Sequence, residues 1–261
     1  MRCCSSWGSL PRRSLLTNFE VAHARLVAAA TGRDWHEDPE DPARPETVQA
    51  MQIVLNLPKQ EPPSRTVALE AAARAVVSVC LDDRAGEEGA FSQALAHWYG
   101  HRIRKIARRA RNKAWRDVQA LPGVSVADTA RAFAPSALSE VDPQLSKLQI
   151  GHTELAHDEP GPALGDVPVI YIDASLPMSA GKAAAQVGHG SMLLAGHMDV
   201  EEARAWAQRG FMLSVREVPT EQFLRACAQP GAVVVRDAGF TEIAPDSATV
   251  CALRRPLEGL I

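Results

Sequence analysis

The stretch Ala180–Gly190, "AGKAAAQVGHG", follows the apolar run "VPVIYID" (Val167–Asp173) and a short loop, "ASLPMS". A strand, a loop and then Gly-Lys at the head of a helix is how phosphate-binding loops begin. Such loops also need Gly five residues before the Gly-Lys pair, so that the backbone wraps the phosphates. They need Ser or Thr directly after the pair, to meet magnesium. Leu176 and Ala183 stand at those two positions, which excludes an NTP-binding loop. The helix is then read by its faces. Lys182, Gln186 and His189 are spaced i, i+4 and i+7 and share one face. Most positions between them are Ala or Gly, which let a helix approach a sheet closely, although each internal Gly costs about 1 kcal/mol against Ala. A helix that keeps two glycines and still projects an ammonium, an amide and an imidazole in a row reads as a site. The plain alternative is a solvated polar face.

Working outward, strands are predicted at Val169–Asp173, Phe211–Glu217, Ala232–Asp237 and Ala248–Leu253. Helices are predicted over Lys182–Ala195, Val200–Gln208 and Glu221–Ala228. Asp199 with Glu202 three residues on forms a capping-box pattern, and Gly210 closes that helix. Only "AGFTEIAPDS" joins the last two strands, too short for a helical crossover, so that pair is antiparallel and the sheet mixed. Asp237 falls where an apolar strand ends and a Gly-containing turn begins, the kind of place where α/β sheets gather ligands. Taken alone, Asp237 and Thr241 read equally as turn formers.

Together, "GKAAAQVGHG" and, about fifty residues later, "VVRDAGFTEIAPDSATV" resemble the type 2 peptidyl-tRNA hydrolase family. The similarity runs from about Val167 to Leu253. It implies an α/β domain with a mixed four-stranded sheet and helices on both faces, assembled as a homodimer. It also implies hydrolysis of the ester between a peptide and tRNA, with peptidyl-tRNA as substrate and no cofactor or metal. Carried over by motif, His189, Asp237, Lys182 and Thr241 are the catalytic candidates, and Gln186 and Thr249 the substrate-binding ones. Asp237 suits orienting or deprotonating water, alone or through His189. Lys182 suits a developing oxyanion or a phosphate. The chain departs from the family's pattern at Asp173, Ala180, Phe240 and Glu242, each change making the site less positive. From Asp166 onward there are 11 acids against 8 Lys plus Arg. A domain gripping tRNA by itself should be basic, so the alternative is a non-catalytic tRNA- or ribosome-associated protein that kept the fold.

The region before this domain is read in three parts. Residues 1–47 form a flexible N-terminal segment, with helical potential over 17–30 and a Pro- and acid-rich stretch over Asp34–Glu46. Residues 48–122 form a mainly helical domain, with one strand at Met51–Leu57 and an Ala-rich helix opening at Ser64 or Thr66 and running to Leu81. Residues 123–166 form a linker. No internal repeat is visible. Within the helical domain, "HRIRKIARRARNKAWR" (His101–Arg116) holds eight Lys plus Arg and no acid. Its apolar residues advance by threes and fours, which predicts a helix. Arg104, Lys105, Arg108, Arg109, Arg111 and Arg116 then line its other faces as an RNA-binding surface. The competing readings are a solvated or protein-binding face and a membrane-surface helix. Trp98, Tyr99 and Trp115 read as core.

The 261 residues carry a net charge of −3 and are 46% hydrophobic, a globular composition with no apolar run long enough to cross a membrane. Five cysteines without a CxxC pair fit a reduced, cytoplasmic protein better than a disulfide framework. The first residues carry arginines and no acid, but lack the apolar core of a secretory signal.

Overall fold

The computed structural model describes residues 16–32, 40–237 and 246–259. The reading of residues 1–15 and the turn holding Thr241, Phe240 and Glu242 lie outside the described residues. The chain begins with α1 (Asn18–Thr31), β1 (Gln49–Asn56), α2 (Arg65–Cys80), α3 (Asp83–Gly86) and α4 (Ala90–Tyr99). It continues through β2 (Arg104–Ala110), α5 (Asn112–Asp117), β3 (Gly123–Val126), β4 (Ala130–Phe133), β5 (Ser136–Ala137) and α6 (Pro143–Ser146). The last part holds β6 (Val169–Asp173), α7 (Ala180–Gly196), α8 (Val200–Gln208), β7 (Ser214–Val218), α9 (Thr220–Cys227), β8 (Val233–Arg236) and β9 (Ala248–Leu253).

The C-terminal sheet has the order β7-β6-β9-β8. β6 and β7 are parallel, and β9 runs antiparallel to both β6 and β8, which bears out the mixed sheet. α7 starts where Ser179 accepts the Lys182 amide at 3.2 Å, a cap that contributes about 1 kcal/mol. Asp199 caps α8 in the same way.

The N-terminal region is rich in helix and also builds a sheet of its own, β2-β1-β4-β3 with β5 on the far end of β1. Three expectations are corrected here. First, the basic stretch is a strand: Arg104–Ala110 is β2, parallel to β1 along its whole length, and only Asn112–Asp117 turns helical. Gly100 ends α4, and pairing with β1 overrides the helical spacing, as tertiary context often does. Second, residues 123–166 are a linker only in their later part, because β3 and β4 form a hairpin that pairs with β1. Its turn places Ala127 and Asp128 at φ 50°, left-handed positions without the Gly that signals such turns. Third, residues 18–31, read within a flexible N-terminal segment, are docked on the fold, and the helix expected over 17–30 forms there as α1. Thr17 and Glu20 form a capping box at the start of α1, and the His23 ring nitrogen Nε2 lies 3.1 Å from the Ala195 carbonyl of α7.

α2 and α7 pack on each other between the two sheets. Met51, Ile53 and Leu55 of β1 and Ile170 and Ile172 of β6 face this helix pair in one core. The opposite face of each sheet is covered by a short helix. Val54 and Phe133 meet Trp115 of α5, and Val169 and Tyr171 meet Phe223 of α9. Strands covered on both faces read as near-continuous apolar runs, and β1 and β6 are buried almost throughout. Burying each large aliphatic side chain contributes about 1.5–3 kcal/mol. Trp98 and Trp115 belong to the core. No helix among the described residues is long and apolar enough to cross a membrane.

Candidate active site

Four of the six residues singled out in the C-terminal domain meet in one network. Asp237 directly follows β8, is 5% exposed, and accepts through Oδ2 from the Lys182 ammonium and from Gln186 Nε2, the latter at 2.7 Å. Thr249, fully buried as the second residue of β9, donates to Gln186 Oε1 at 2.9 Å. That bond orients the amide with its nitrogen toward the carboxylate. A line of hydrogen bonds therefore runs from the sheet through Thr249 and Gln186 to Asp237, with Lys182 closing it. The Asp237 backbone is pinned as well, its N–H donating to Ser247 O at 2.9 Å while its carbonyl accepts from Asp246 N at 2.7 Å.

One helical turn separates Lys182 from Gln186, so α7 aims both at the end of β8. The sequence keeps this part of α7 small because the chain crowds it. A Cβ on Gly181 would lie 2.7 Å from Thr153 Oγ1, and Thr153 accepts the Gly181 amide at 3.0 Å. Thr153 is a neighbour of the site helix that sequence reasoning missed. It sits in the supposed linker, 2% exposed, and ties that segment to the first turn of the site helix.

His189 shares the face of Lys182 and Gln186 but does not join the network around Asp237. The second half of α7 lies over the N-terminal part, and His189 is half-buried there beside Lys105 of β2. Burial of the ring, helped by the Lys105 charge, holds its pKa well below the usual 6.5. Lys105 is itself depressed to about 7 by burial. Its Nζ has no hydrogen-bond partner among the described residues and lies 5.0 Å from the Trp98 ring centroid. Beyond this pair, burial raises the Cys80 thiol to about 11.

Two departures from the family's pattern have structural accounts. Asp173 is buried and faces away from the network. Its Oδ1 accepts from Ser175 N at 3.0 Å and from Thr220 Oγ1 at 2.9 Å, joining the end of β6 to the start of α9. Ala180 is fully buried as the first residue of α7, where a long cation would not fit without rearrangement.

The basic stretch is corrected residue by residue. Arg104 pairs with Glu40 at 2.7 Å. Arg108 is buried, donating to Gln52 Oε1 at 2.7 Å and to Leu148 O at 2.8 Å. Lys105 is enclosed as described. These three build the fold rather than a free surface. Arg109, tied to Gln149 at 3.0 Å, and half-exposed Arg111 line a shallow groove with Lys147, and Arg116 is exposed.

Among the described residues no group of three or more His, Cys, Asp or Glu could hold a metal ion. What the network offers is a buried carboxylate, a cation beside it and an oriented amide, the parts of a water-activating, oxyanion-stabilising site. No curated protein matches the sequence. Residues 167–258, which include all four networked residues, match the model of the family described as peptidyl-tRNA hydrolase PTH2.

Proposed function

We propose that the protein hydrolyses the ester joining a peptide, or an N-blocked amino acid, to the 3′-terminal ribose of tRNA. The observation that carries this reading is the Asp237 carboxylate, held at the end of β8 by Lys182 and Gln186 inside a domain that matches a hydrolase family.

In this account Asp237 orients and deprotonates the attacking water. Gln186, fixed by Thr249, keeps the carboxylate in place and offers an amide to the ester. Lys182 neutralises Asp237 before substrate binds and turns to the developing oxyanion or the neighbouring phosphate when it arrives. A donor of that kind is worth about 10²–10³ in rate. His189, set in the seam beside Lys105, positions α7 and transfers no proton. Thr241 keeps the ester-positioning role that its motif implies. No metal takes part. Phosphate contacts fall to Arg109, Arg111 and Lys147 of the groove and to exposed Arg116, because Arg104, Lys105 and Arg108 are committed to the fold.

The test is release of free tRNA from an N-acylated aminoacyl-tRNA, with Asp237→Asn as control. Hydrolysis lost in the variant supports the reading. Binding without hydrolysis by the wild type replaces it with a tRNA-holding relative.

A further inference from the structure

The two sheets have one topology. In the order β2-β1-β4-β3, β1 and β2 are parallel, and β4 is antiparallel to β1 and to β3. In the order β7-β6-β9-β8, β6 and β7 are parallel, and β9 is antiparallel to β6 and to β8. The connections correspond too. A long helix follows the first strand (α2, α7), a further helix precedes the second (α4, α8), and a short helix leads to the third (α5, α9).

Local details repeat with the topology. Trp98 at the end of α4 donates from Nε1 to the carbonyl six residues on, Arg104 O, at 3.1 Å. Trp206 at the end of α8 does the same to Met212 O, also six residues on, at 2.7 Å. Pro122-Gly123 opens β3, and Pro230-Gly231 stands just before β8. Ser64 caps α2 through the amide three residues on, as Ser179 caps α7.

Aligning those two caps makes Ala73 the counterpart of Gly188, and Val76 the counterpart of Ser191. The contacts between the helices obey the same exchange. Gly188 lies against Val76, where a Cβ would come within 2.8 Å of Cγ2. Ser191 lies against Ala73, its Oγ donating to Ala73 O at 2.7 Å. Swapping the helices turns one contact into the other, which is the mark of a two-fold interface. Their second residues correspond as well, and the connecting segment satisfies both amides. Thr66 N donates to Asp158 Oδ1 at 2.9 Å, and Gly181 N to Thr153 Oγ1 at 3.0 Å.

We propose that residues 48–146 are a second copy of the C-terminal fold that has lost its site and occupies, within the same chain, the place of a two-fold-related subunit against α7. The loss can be followed by position. Val67 stands where Lys182 does and is 47% exposed. Ala71 stands for Gln186 and Arg74 for His189. A tight turn at Ala127–Asp128 replaces the long loop that begins at Asp237. One chain therefore carries one site and its own partner, and the homodimer implied by resemblance is formed internally.

Paired cysteines in the full chain test this without any assay of activity. A Cβ at Gly188 would lie 3.3 Å from Val76 Cβ, near the separation a disulfide spans. The two-fold makes Val76→Cys with Gly188→Cys and Ala73→Cys with Ser191→Cys equivalent pairs. The expected result is that both close under mild oxidation within one chain, mapped between the introduced sites by peptide mass spectrometry, with the single variants as controls. Sedimentation equilibrium should give a monomer of 28.1 kDa. Closure of one pair only, of neither, or of both between two chains would overturn the proposal.

Discussion

Gln186 Nε2 reaches Asp237 Oδ2 at 2.7 Å while its Oε1 takes the Thr249 hydroxyl at 2.9 Å, so one amide couples a fully buried residue of β9 to the site carboxylate. In the proposed mechanism, positioning lies in the sheet and chemistry at the end of β8. Residues of both kinds should fail in different ways when altered.

Gln186→Ala removes a hydrogen bond to a charged group, worth about 1.5–3 kcal/mol. Turnover should fall about ten- to a hundredfold, with tRNA affinity kept. Thr249→Val leaves the amide oxygen without its donor and should cost about 1–3 kcal/mol of stability. Steady-state kinetics and denaturant titration read the two effects separately.

Lys182→Met should lower kcat about 10²–10³-fold by removing the cation from the developing charge. His189→Ala should lower it less than tenfold, because the imidazole lies beside Lys105 rather than at Asp237. Equal losses in the two variants would return His189 to the reaction.

Much of this was legible in the sequence. Lys182 and Gln186 share a helix face by spacing alone, and Asp237 stands at a strand end followed by Gly. The boundaries of β6, α7, α8 and β9 follow from apolar runs, caps and Gly210. What spacing could not give is direction over distance. Gly188 brings α7 so close to Val76 that His189 turns into the seam with β2, a contact between segments far apart in sequence. β2 itself was hidden because Arg104, Lys105 and Arg108 fill positions where apolar residues signal a strand. The internal copy was hidden because it keeps the topology, the tryptophans and the Pro-Gly pairs but not the site motif.

Lys105 gives the fold a pH signature. Its pKa is near 7 when folded, against 10.5 as an ordinary lysine. Between those values the unfolded chain binds the extra proton, so stability rises with pH across that window. The rise is at most about 1.4 kcal/mol per pH unit. Lys105→Met should be more stable than wild type at pH 7 and should lack this rise. Denaturation midpoints from pH 7 to 10 compare the two.

Gly188→Ala should destabilise by about 1–3 kcal/mol, because its Cβ overpacks Val76. Adding Val76→Ala should recover part of that loss, a coupling that a double-mutant cycle measures. Independent, additive effects would place the helices farther apart than described.

Arg111→Ala with Arg116→Ala should reduce the salt dependence of tRNA binding, by about 0.7–0.9 in slope for each phosphate that is no longer neutralised. Arg108→Ala should instead lower stability, since Arg108 is buried on Gln52 and Leu148. An unchanged slope in the double variant would remove Arg111 and Arg116 from the RNA path.

The assignment of the site is tested most directly by hydrolysis of N-acetyl-aminoacyl-tRNA by the full chain beside Asp237→Asn. The predicted result is release of free tRNA by the wild type and at least about a hundredfold loss in the variant, the scale of general base catalysis, with tRNA binding retained. Equal turnover by the two proteins would contradict it.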